Sequence, residues 1–353
     1  MDRRILLLVT DLEIGGTPTV VREVATRLHD PPRVTVSVAC LGRRGPVADQ
    51  IGRRGIEATA LEARSSRDLR VIGRLAKLIH GARFDTVLSF LIHANVAAAL
   101  DATRSVGVRY FQSIQTTQPL PQWHWLAQRL CSRMAEKIVV PSASVSEAAQ
   151  WRSHIREEKI VVIPNGVDVP ATLPPPAQPQ SPHRVVFLGR LDPVKRLPNL
   201  IEAMALLRGF ARLDVYGDGP QRPELTRQIQ QLNLGELVTL HGAIDGPQAA
   251  LRDAELLVLP SEAEGFGLVL IEAMAAGVPV VATEAPGIRD VVQDGETGLL
   301  VPVGAPAALA EAIRRVLEDS ALRERLIQAA FADVRRRFTW DAAIAEYRRI
   351  LGI

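Results

Sequence analysis

Residues 254–283 read AELLVLPSEAEGFGLVLIEAMAAGVPVVAT and contain a complete strand–helix–strand unit. The apolar run AELLVLP predicts a buried strand, LVLIEAMAA predicts a helix, and PVVAT predicts the next strand. Gly277 lies where helices often end in a left-handed residue, and Pro279 adds a second stop signal. Because strands joined by a crossover helix run parallel in one sheet, this stretch predicts α/β architecture.

Similar apolar runs recur along the whole chain, separated by segments in which apolar residues repeat every three or four positions. The runs are continuous blocks rather than alternations, which is typical of strands covered on both faces. We therefore predict two doubly wound, Rossmann-like parallel-sheet domains. The runs are RILLLV, VTVSVAC, DTVLSFL, VRYFQSI, KIVVP and KIVVIP in the first half, and RVVFLG, ARLDVYG, LVTLHG, AELLVLP, PVVAT and GLLVP in the second.

A proline-rich stretch divides these two sets of strands. It reads PATLPPPAQPQSP, and such a segment disfavours helix and removes backbone donors. The predicted organisation has four parts: an N-terminal domain (1–169), a linker (170–183), a C-terminal domain (184–338) and a final helix (339–353) placed to pack back on the N-terminal domain. Two such domains are expected to face each other across a cleft that holds the ligand.

Composition excludes several classes of protein. The 353 residues are 47% apolar and 23% charged, with a net charge of +3, which is normal for a globular protein. The sequence contains no long block of basic residues, which argues against a nucleic-acid partner. The first apolar run is too short for a signal peptide, and no run is long enough to span a membrane. We therefore expect a cytoplasmic protein. The two cysteines have no CxxC spacing, and Cys40 is predicted to be a buried hydrophobic residue.

Two glutamates flank the turn inside the opening stretch. Glu264 lies at the carboxyl end of a strand, where ligands bind in parallel sheets. Gly265 and Gly267 allow close approach of the backbone at a helix start, where free N–H groups favour phosphate. Glu272 lies within the helix among apolar neighbours and needs donors, which sugar hydroxyls could supply. A local cap or ion pair for Glu272 is the alternative, and the residues alone leave both open.

Two cations follow the strand that ends at Gly189, in FLGRLDPVKR. Arg190 offers a planar fork and Lys195 a point charge, a combination suited to a diphosphate. Two solvated surface cations are the alternative interpretation. No D-x-D pair and no clustered ligand set occurs in the sequence, so we expect no metal and no cofactor.

Two weaker signals follow strands in the first half of the chain. The loop DLEIGGTPT contains Gly15 and Gly16 and lacks the G-x-G-x-x-G dinucleotide pattern. Its backbone amides could face a phosphate or a sugar. His93, in SFLIHANV, could donate to a substrate oxygen, although a lone histidine is more often structural.

These blocks occur together in one order, and the sequence resembles the retaining GT-B glycosyltransferases of family 4, the glycogen-synthase-like group. The resemblance covers nearly the whole chain, and its most specific element is the spacing of Glu264 and Glu272. The matching blocks are IGGTPTVV, VVPSASVSEAA, VIPNGVD, FLGRLDPVKR, YGDGP, PSEAEGFGLVLIEAMAAGVPVVAT and PGIRDVVQDGETGLLVP.

The resemblance implies a role for each candidate residue. Arg190 and Lys195 would neutralise the leaving diphosphate, Glu264 would hold sugar hydroxyls, and His93 would lie near the reacting end of the sugar. The implied donor-binding residues are Gly15, Gly16, Gly189, Gly265, Phe266, Gly267, Leu268, Val269 and Glu272, the last on the ribose.

The resemblance also implies the reaction. A hexose would move from a nucleotide sugar, a UDP-sugar before a GDP-sugar, to a glycan or lipid-linked acceptor in cell-envelope or polysaccharide synthesis. The nucleotide sugar is a substrate, not a cofactor. A GT-B nucleotide-sugar 2-epimerase and a non-catalytic sugar-binding partner subunit remain as alternatives.

Residues 122–137, QWHWLAQRLCSRMAEK, allow two interpretations. Aromatic side chains beside arginines could rest on the inner face of a membrane, near a lipid-linked acceptor. Alternatively, the helix packs through Leu126, Leu130 and Met134 and exposes a basic face, which is the interpretation we favour from the sequence.

Overall fold

The computed structural model describes residues 2–65, 68–103, 106–118, 121–244 and 246–353. The chain forms two compact units, and each has its own parallel sheet. Unit 1 comprises Met1–Asn165 and Trp340–Ile353, and unit 2 comprises Gly166–Thr339.

Unit 1 is built on a seven-stranded parallel sheet in the order β3-β2-β1-β4-β5-β6-β7. The strands before β4 are added on one side of β1 and the later strands on the other side, as in doubly wound sheets. The strands are β1 (Arg3–Val9), β2 (Val34–Cys40), β3 (Ala58–Ala60), β4 (Thr86–Phe90), β5 (Arg109–Ser113), β6 (Ile138–Val140) and β7 (Ile160–Val162). The helices are α1 (Gly16–Leu28), α2 (Pro46–Arg53), α3 (Arg70–Gly81), α4 (Ile92–Ala102), α5 (Trp123–Cys131) and α6 (Ala143–Ser153).

Unit 2 contains a six-stranded parallel sheet in the order β10-β9-β8-β11-β12-β13. Its strands are β8 (His183–Leu188), β9 (Ala211–Tyr216), β10 (Val238–Gly242), β11 (Leu256–Leu259), β12 (Val280–Thr283) and β13 (Leu299–Val301). The helices that follow α6 are α7 (Leu197–Ala205), α8 (Arg222–Gln231), α9 (Gln248–Leu251), α10 (Leu268–Ala275), α11 (Pro306–Glu318), α12 (Ser320–Arg337) and α13 (Trp340–Leu351), of which α13 belongs to unit 1.

The predicted pair of doubly wound parallel sheets is confirmed. The central strands are fully buried, because helices cover both faces of each sheet and leave no side for polar alternation. Every predicted strand is present, and β3 is an additional strand without an apolar run. Because the strands are parallel, their carboxyl ends share one edge of each sheet, and the site residues lie in the loops at these edges.

The helix of the opening stretch ends as its sequence indicates. Gly277 has a φ of +72°. Its N–H donates to the carbonyl of Met274, and the N–H of Val278 donates to that of Ala273. This pattern is a Schellman motif, which satisfies the last carbonyl groups of α10.

The boundary between the units lies at Asn165–Gly166, ahead of the proline-rich segment that we predicted to be the linker (170–183). That segment has no regular structure through its prolines, but it packs on unit 2. Pro174 lies against Gly277, and Gln180 donates from its backbone N–H to Glu255 at 3.0 Å. The segment is therefore part of the surface of unit 2.

The final helix α13 follows unit 2 in sequence and packs in unit 1. Trp340, Tyr347 and Leu351 are buried there, and the carbonyl of Leu351 accepts a 2.7 Å hydrogen bond from Arg109. The guanidinium of Arg27 lies over the Trp340 ring. This helix is an integral part of unit 1, because it covers α1.

Helix α5 packs through a different face from the one that we favoured. Its buried side chains are His124, Trp125, Gln128 and Cys131. The residues predicted to be in the core are exposed: Leu126 is 59%, Leu130 53% and Met134 40% accessible, and Trp123 is 60% accessible. The reason is that the buried polar face of α5 meets a polar network, which apolar periodicity does not reveal. No helix within the described ranges is long and apolar enough to cross a membrane.

Candidate functional site

An ion pair between Lys195 and Glu264 lies at the centre of the candidate site in unit 2. The Lys195 Nζ atom is 2.5 Å from Oε1 of Glu264, and both side chains are largely buried. Ser261 donates to the same carboxylate oxygen at 2.7 Å. Because two donors share one oxygen, the carboxylate is held in one orientation beside the carboxyl end of β11.

Two loops are tied together to form this pair. Lys195 ends a short 3₁₀ turn after β8, and the N–H of Glu262 donates to the carbonyl of Val194 at 2.9 Å. Arg196 and Glu262 form an ion pair next to this contact. These contacts join the loop after β8 to the loop after β11 and place Lys195 against Glu264.

A third loop supports Glu264 from behind. The Glu264 N–H donates to the carbonyl of Pro286 at 3.0 Å. A Cβ placed on Gly287, whose φ is +81°, would lie 2.2 Å from the Glu264 carbonyl oxygen. Only glycine permits this approach, so the segment after β12 sets the position of the glutamate.

The start of α10 presents backbone amides beside the ion pair. The helix begins at Leu268, has no side-chain cap and carries no acidic residue in its first turn. Phe266 is buried against Phe338 at 5.4 Å, so its backbone alone is available to a ligand. Glu272 is half-buried one turn further along α10. An uncapped helix start of this kind favours an anion.

Arg190 follows the end of β8, and its side chain is 69% exposed. The side chain contacts Asp192 at 2.8 Å rather than the Lys195–Glu264 pair. The loop is held by β9: a Cβ on Gly217 would lie 1.9 Å from the carbonyl oxygen of Gly189. The signal YGDGP is therefore a packing turn that positions the loop of Arg190.

Unit 1 contains the other predicted site residues. Gly15 caps α1 and Gly16 begins it, again without a side-chain cap or an acidic first turn. His93 lies in the first turn of α4, and its ring meets that of His124 edge-on, with centroids 5.3 Å apart. Burial, and then the charge of His93, lower the pKa of His124.

The backbone in front of His93 is strained. Leu91 has φ +70° and ψ 157°, a region that is essentially restricted to glycine. Beneath it, Asn95 donates to Gln128 at 2.9 Å and to the carbonyl of Ser113 at 3.1 Å, and Ser89 donates to Asn95 at 2.7 Å. These polar groups are buried, and they tie α4 and α5 to the sheet.

Several residues of the candidate site were not identified from the sequence. Ser261 and Gly287 hold Glu264, and both lie in quoted sequence blocks, PSEAEGFG and PGIRDVV, but the sequence did not single them out for this role. His124 faces His93. The flanking tryptophans of QWHW were the available signal, but we considered them only for a membrane contact or for a helix packed through Leu126, Leu130 and Met134. Among the described residues there is no group of three or more His, Cys, Asp or Glu that could hold a metal.

Comparison with known families gives two adjoining matches. Residues 14–171 match the family described as Glycosyltransferase Family 4, and residues 171–333 match the family described as Glycosyl transferases group 1. The chain belongs to glycosyltransferase family 4. The two matches meet at residue 171, near the boundary between the units, so each match corresponds mainly to one unit.

Relatives and solved structures extend this assignment. A phosphatidyl-myo-inositol mannosyltransferase of Mycobacterium leprae is 35% identical over 256 residues, which cover 70% of this chain and 64% of that protein. An N-acetyl-alpha-D-glucosaminyl L-malate synthase of Bacillus anthracis is 31% identical over 173 residues, which cover 48% of this chain and 45% of that protein. The chain therefore spans less than two thirds of these relatives.

The fold matches that of Anabaena HepE, whose crystal structure was determined in complex with UDP-glucose. The TM-score is 0.86 at 23% identity, and the alignment covers 99% of both chains.

Proposed function

We propose that this protein is a retaining glycosyltransferase that moves a hexose from a nucleotide sugar to a hydroxyl group of a glycan or lipid-linked acceptor. The observation that carries the proposal is the largely buried Lys195–Glu264 pair beside the uncapped start of α10. It brings together a cation, a fixed carboxylate and backbone donors, the groups that a sugar diphosphate needs.

The proposed mechanism concerns the negative charge on the leaving diphosphate. Lys195 has three N–H donors, and Glu264 engages one of them. The remaining donors, the exposed fork of Arg190 and the amides at the start of α10 would stabilise the diphosphate as its bond to the sugar breaks.

Glu264 is assigned to the hydroxyl groups of the sugar. Its Oε1 atom already accepts from Lys195 and Ser261, which makes it a poor nucleophile. Without a covalent intermediate, retention requires the acceptor to attack on the face that the diphosphate leaves. His93 would lie near the reacting carbon, Gly15 and Gly16 would present amides to the donor phosphate and sugar, and Glu272 would accept from the ribose.

UDP-sugars are the proposed donors. The support is the structural likeness to HepE, which was crystallised with UDP-glucose. The relatives are named for phosphatidyl-myo-inositol and L-malate, so acceptor chemistry varies among similar chains.

The test compares Lys195→Ala with Lys77→Ala, an exposed lysine on α3. UDP-, GDP- and ADP-sugars are first ranked by thermal shift on the unmodified protein. With the best donor, Lys195→Ala should lower turnover by about 100-fold or more, and Lys77→Ala should not change it. Near-normal turnover by a folded Lys195→Ala protein would exclude this assignment.

The product distinguishes the alternatives. Incubation with donor alone, followed by mass spectrometry and NMR of the anomeric proton, separates released hexose from an isomerised nucleotide sugar. A 2-epimerase gives the isomer, and a non-catalytic subunit gives neither product.

We also propose that residues 122–137 make peripheral contact with an anionic membrane. Trp123, Leu126 and Leu130 recur at helical spacing on α5, so their exposed side chains share one face. Met134, Arg129 and Arg133 lie exposed nearby. An exposed apolar stripe beside arginines is typical of helices that lie in a membrane interface.

Flotation with phosphatidylglycerol-containing vesicles tests this contact. Leu126→Ser combined with Leu130→Ser should abolish co-flotation. The matched control replaces two exposed apolar residues of unit 2, Leu206→Ser and Val303→Ser, and should float as the unmodified protein does. If neither pair changes flotation, or if the unmodified protein does not float, residues 122–137 do not contact membranes.

A further inference from the structure

Two adjacent residues at the end of α12, Arg337 and Phe338, contact two segments that form the candidate site in unit 2. Helix α12 packs on α10, the helix whose uncapped start presents backbone amides beside Glu264. Arg337 is the last residue of α12, and Phe338 follows it as the C-cap. Their side chains connect a helix that lies outside the site to the loops within it.

Arg337 holds the segment after β12. Its Nη2 atom donates to the carbonyl of Asp290 at 2.6 Å, and its Nη1 atom donates to the carboxylate of Asp333 at 2.8 Å. The Asp333 side chain is only 6% exposed, so the guanidinium is anchored by a nearly buried charge. Because a planar guanidinium donates in fixed directions, this anchor also fixes the place of the Asp290 carbonyl.

The segment after β12 transmits this contact to Glu264. The N–H of Arg289 donates to the carbonyl of Ala285 at 3.2 Å and closes a compact turn directly ahead of Asp290. Inside that turn, the carbonyl of Pro286 accepts from the Glu264 N–H at 3.0 Å. A shift of Asp290 would therefore displace the backbone that supports the glutamate.

Phe338 holds the segment that precedes α10. Its ring meets the ring of Phe266 edge-on, with centroids 5.4 Å apart, and the two residues are 2% and 4% exposed. Edge-on pairs of this kind are a favourable arrangement of aromatic rings. Phe266 lies between Gly265 and Gly267, which have no side chains to anchor the backbone. The ring of Phe266 is therefore the anchor of the amides at the helix start.

Three contacts fix Phe338 itself. Its N–H donates to the carbonyl of Val334 at 2.9 Å, and its carbonyl accepts from the N–H of Val167 at 2.8 Å. The guanidinium of Arg337 lies 4.4 Å from the centre of the Phe338 ring, within the range of a cation–π contact. Arg337 and Phe338 therefore support each other as well as the two segments of the site.

We propose that Arg337 and Phe338 are positioning residues for the donor. Arg337 acts on the Glu264 carboxylate through the turn before Asp290, and Phe338 acts on the amides at the start of α10 through Phe266. This role rests on the proposed glycosyl transfer and adds two residues that set its geometry without contact to the substrate. Such supports affect the rate because a displacement of about 1 Å at a site can cost about 100-fold.

The first test separates positioning of the sugar from binding of the nucleotide. Arg337→Gln should lower kcat for the preferred nucleotide sugar about tenfold, because Glu264 loses its support. The Kd of the corresponding nucleoside diphosphate, UDP for a UDP-sugar, should stay within about twofold, since that ligand carries no hexose for Glu264 to hold.

The matched control for this test is Arg336→Gln. Arg336 pairs with the same carboxylate of Asp333 at 2.7 Å and is 72% exposed, and its replacement should change neither constant. Thermal melting verifies that both variants are folded at the assay temperature. A kcat of Arg337→Gln equal to that of the control, or a loss of diphosphate affinity as large as the loss of kcat, would overturn the role of Arg337.

The second test asks whether Phe338 acts through Phe266, and it needs no turnover. Phe338→Leu and Phe266→Leu should each raise the Kd of the diphosphate about three- to tenfold. The double variant should bind it no more weakly than either single variant. Phe331→Leu, a buried phenylalanine elsewhere on α12, should leave the Kd unchanged. Multiplied effects in the double variant, or unchanged affinity in Phe338→Leu, contradict the proposal.

The binding measurements separate this role from the proposed function. If the unmodified protein binds the diphosphate but transfers no hexose, the proposed function fails and the Phe266–Phe338 cycle alone decides the role of Phe338. If transfer is normal and the variants of Arg337 and Phe338 behave like their controls, the positioning role fails and the proposed function stands. If no nucleoside diphosphate binds, both fail.

Discussion

At the scale of single residues, Glu264 depends on one nearby group, Ser261, and on two groups that are distant in sequence, Lys195 and Gly287. Lys195 and Ser261 fix its carboxylate, and Gly287 lies against its backbone. A side chain at position 287 would collide with the peptide of Glu264 before it reached any ligand. The position of the Glu264 carboxylate therefore depends on the loop after β12 as well as on the glutamate itself.

Replacing Gly287 with alanine should reduce activity through Glu264. Its Cβ would lie 2.2 Å from the Glu264 carbonyl oxygen, and the left-handed φ adds strain. Gly295→Ala is the matched control, because its φ of +71° is similar and nothing lies within 4 Å of its Cβ. Gly295→Ala should cost ~1 kcal/mol of unfolding free energy. Gly287→Ala should cost about 1–3 kcal/mol more.

Urea denaturation and turnover of the preferred nucleotide sugar measure the two effects. We expect turnover to fall for Gly287→Ala and to stay unchanged for Gly295→Ala. Equal stability losses with equal turnover would show that Gly287 does not position Glu264.

The sequence indicated these residues individually but not their pairing. Glu264 and Lys195 were recognised by the chemistry of their neighbourhoods, because each follows a predicted strand. Their contact could not be predicted, since it depends on a 3₁₀ turn and on the backbone bond from Glu262 to Val194. His124 was hidden for another reason: it lies inward on α5 next to a polar network, while the apolar residues that usually mark a buried face point outward.

At the scale of elements, α5 has two faces with separate tasks. Its inward face buries His124, Trp125, Gln128 and Cys131, and its outward face exposes Trp123, Leu126 and Leu130. Gln128, on the inward face, links α5 to α4 and β5.

The polar network beneath α5 should be essential for stability. Asn95→Leu keeps a similar volume but leaves the oxygens of Gln128 and Ser113 without their buried donor. We expect a loss of about 2–4 kcal/mol in unfolding free energy, since each unsatisfied buried group costs about 1–3 kcal/mol.

Guanidinium denaturation compares this variant with Gln150→Leu. Gln150 bonds to Ser146 on the surface of α6, and its replacement should change stability by less than ~0.5 kcal/mol. A loss for Asn95→Leu as small as that of the control would show that the network contributes little.

At the scale of the whole molecule, the chain leaves unit 1 at Asn165 and returns to it at Trp340. Two parallel sheets could be predicted from the apolar runs, because strands buried on both faces leave a continuous signal. The point at which the chain changes unit could not. The prolines of 170–183 indicated a linker between the domains, yet this segment packs on unit 2 through Pro174 and Gln180.

Removal of residues 340–353 should unfold unit 1 and spare unit 2. The deletion exposes the face of α1 that α13 covers, and it removes the buried side chains of Trp340, Ile344, Tyr347 and Leu351. At about 1.5–3 kcal/mol for each buried side chain, the loss is comparable with the ~5–15 kcal/mol that stabilises a typical domain. Unit 2 keeps its own core and its Lys195–Glu264 pair. We therefore expect the truncated chain to retain affinity for UDP and to lose glycosyl transfer.

Calorimetry and amide hydrogen exchange measure the stability of each unit separately. The control chain lacks only Gly352 and Ile353, keeps the bond from Arg109 to Leu351, and should melt like the full chain. Exchange should become fast across β1, β2 and β4 in the longer truncation and remain slow across β8 and β11. Slow exchange in both sheets would mean that α13 is dispensable, and fast exchange in both would mean that unit 2 depends on unit 1 for its fold.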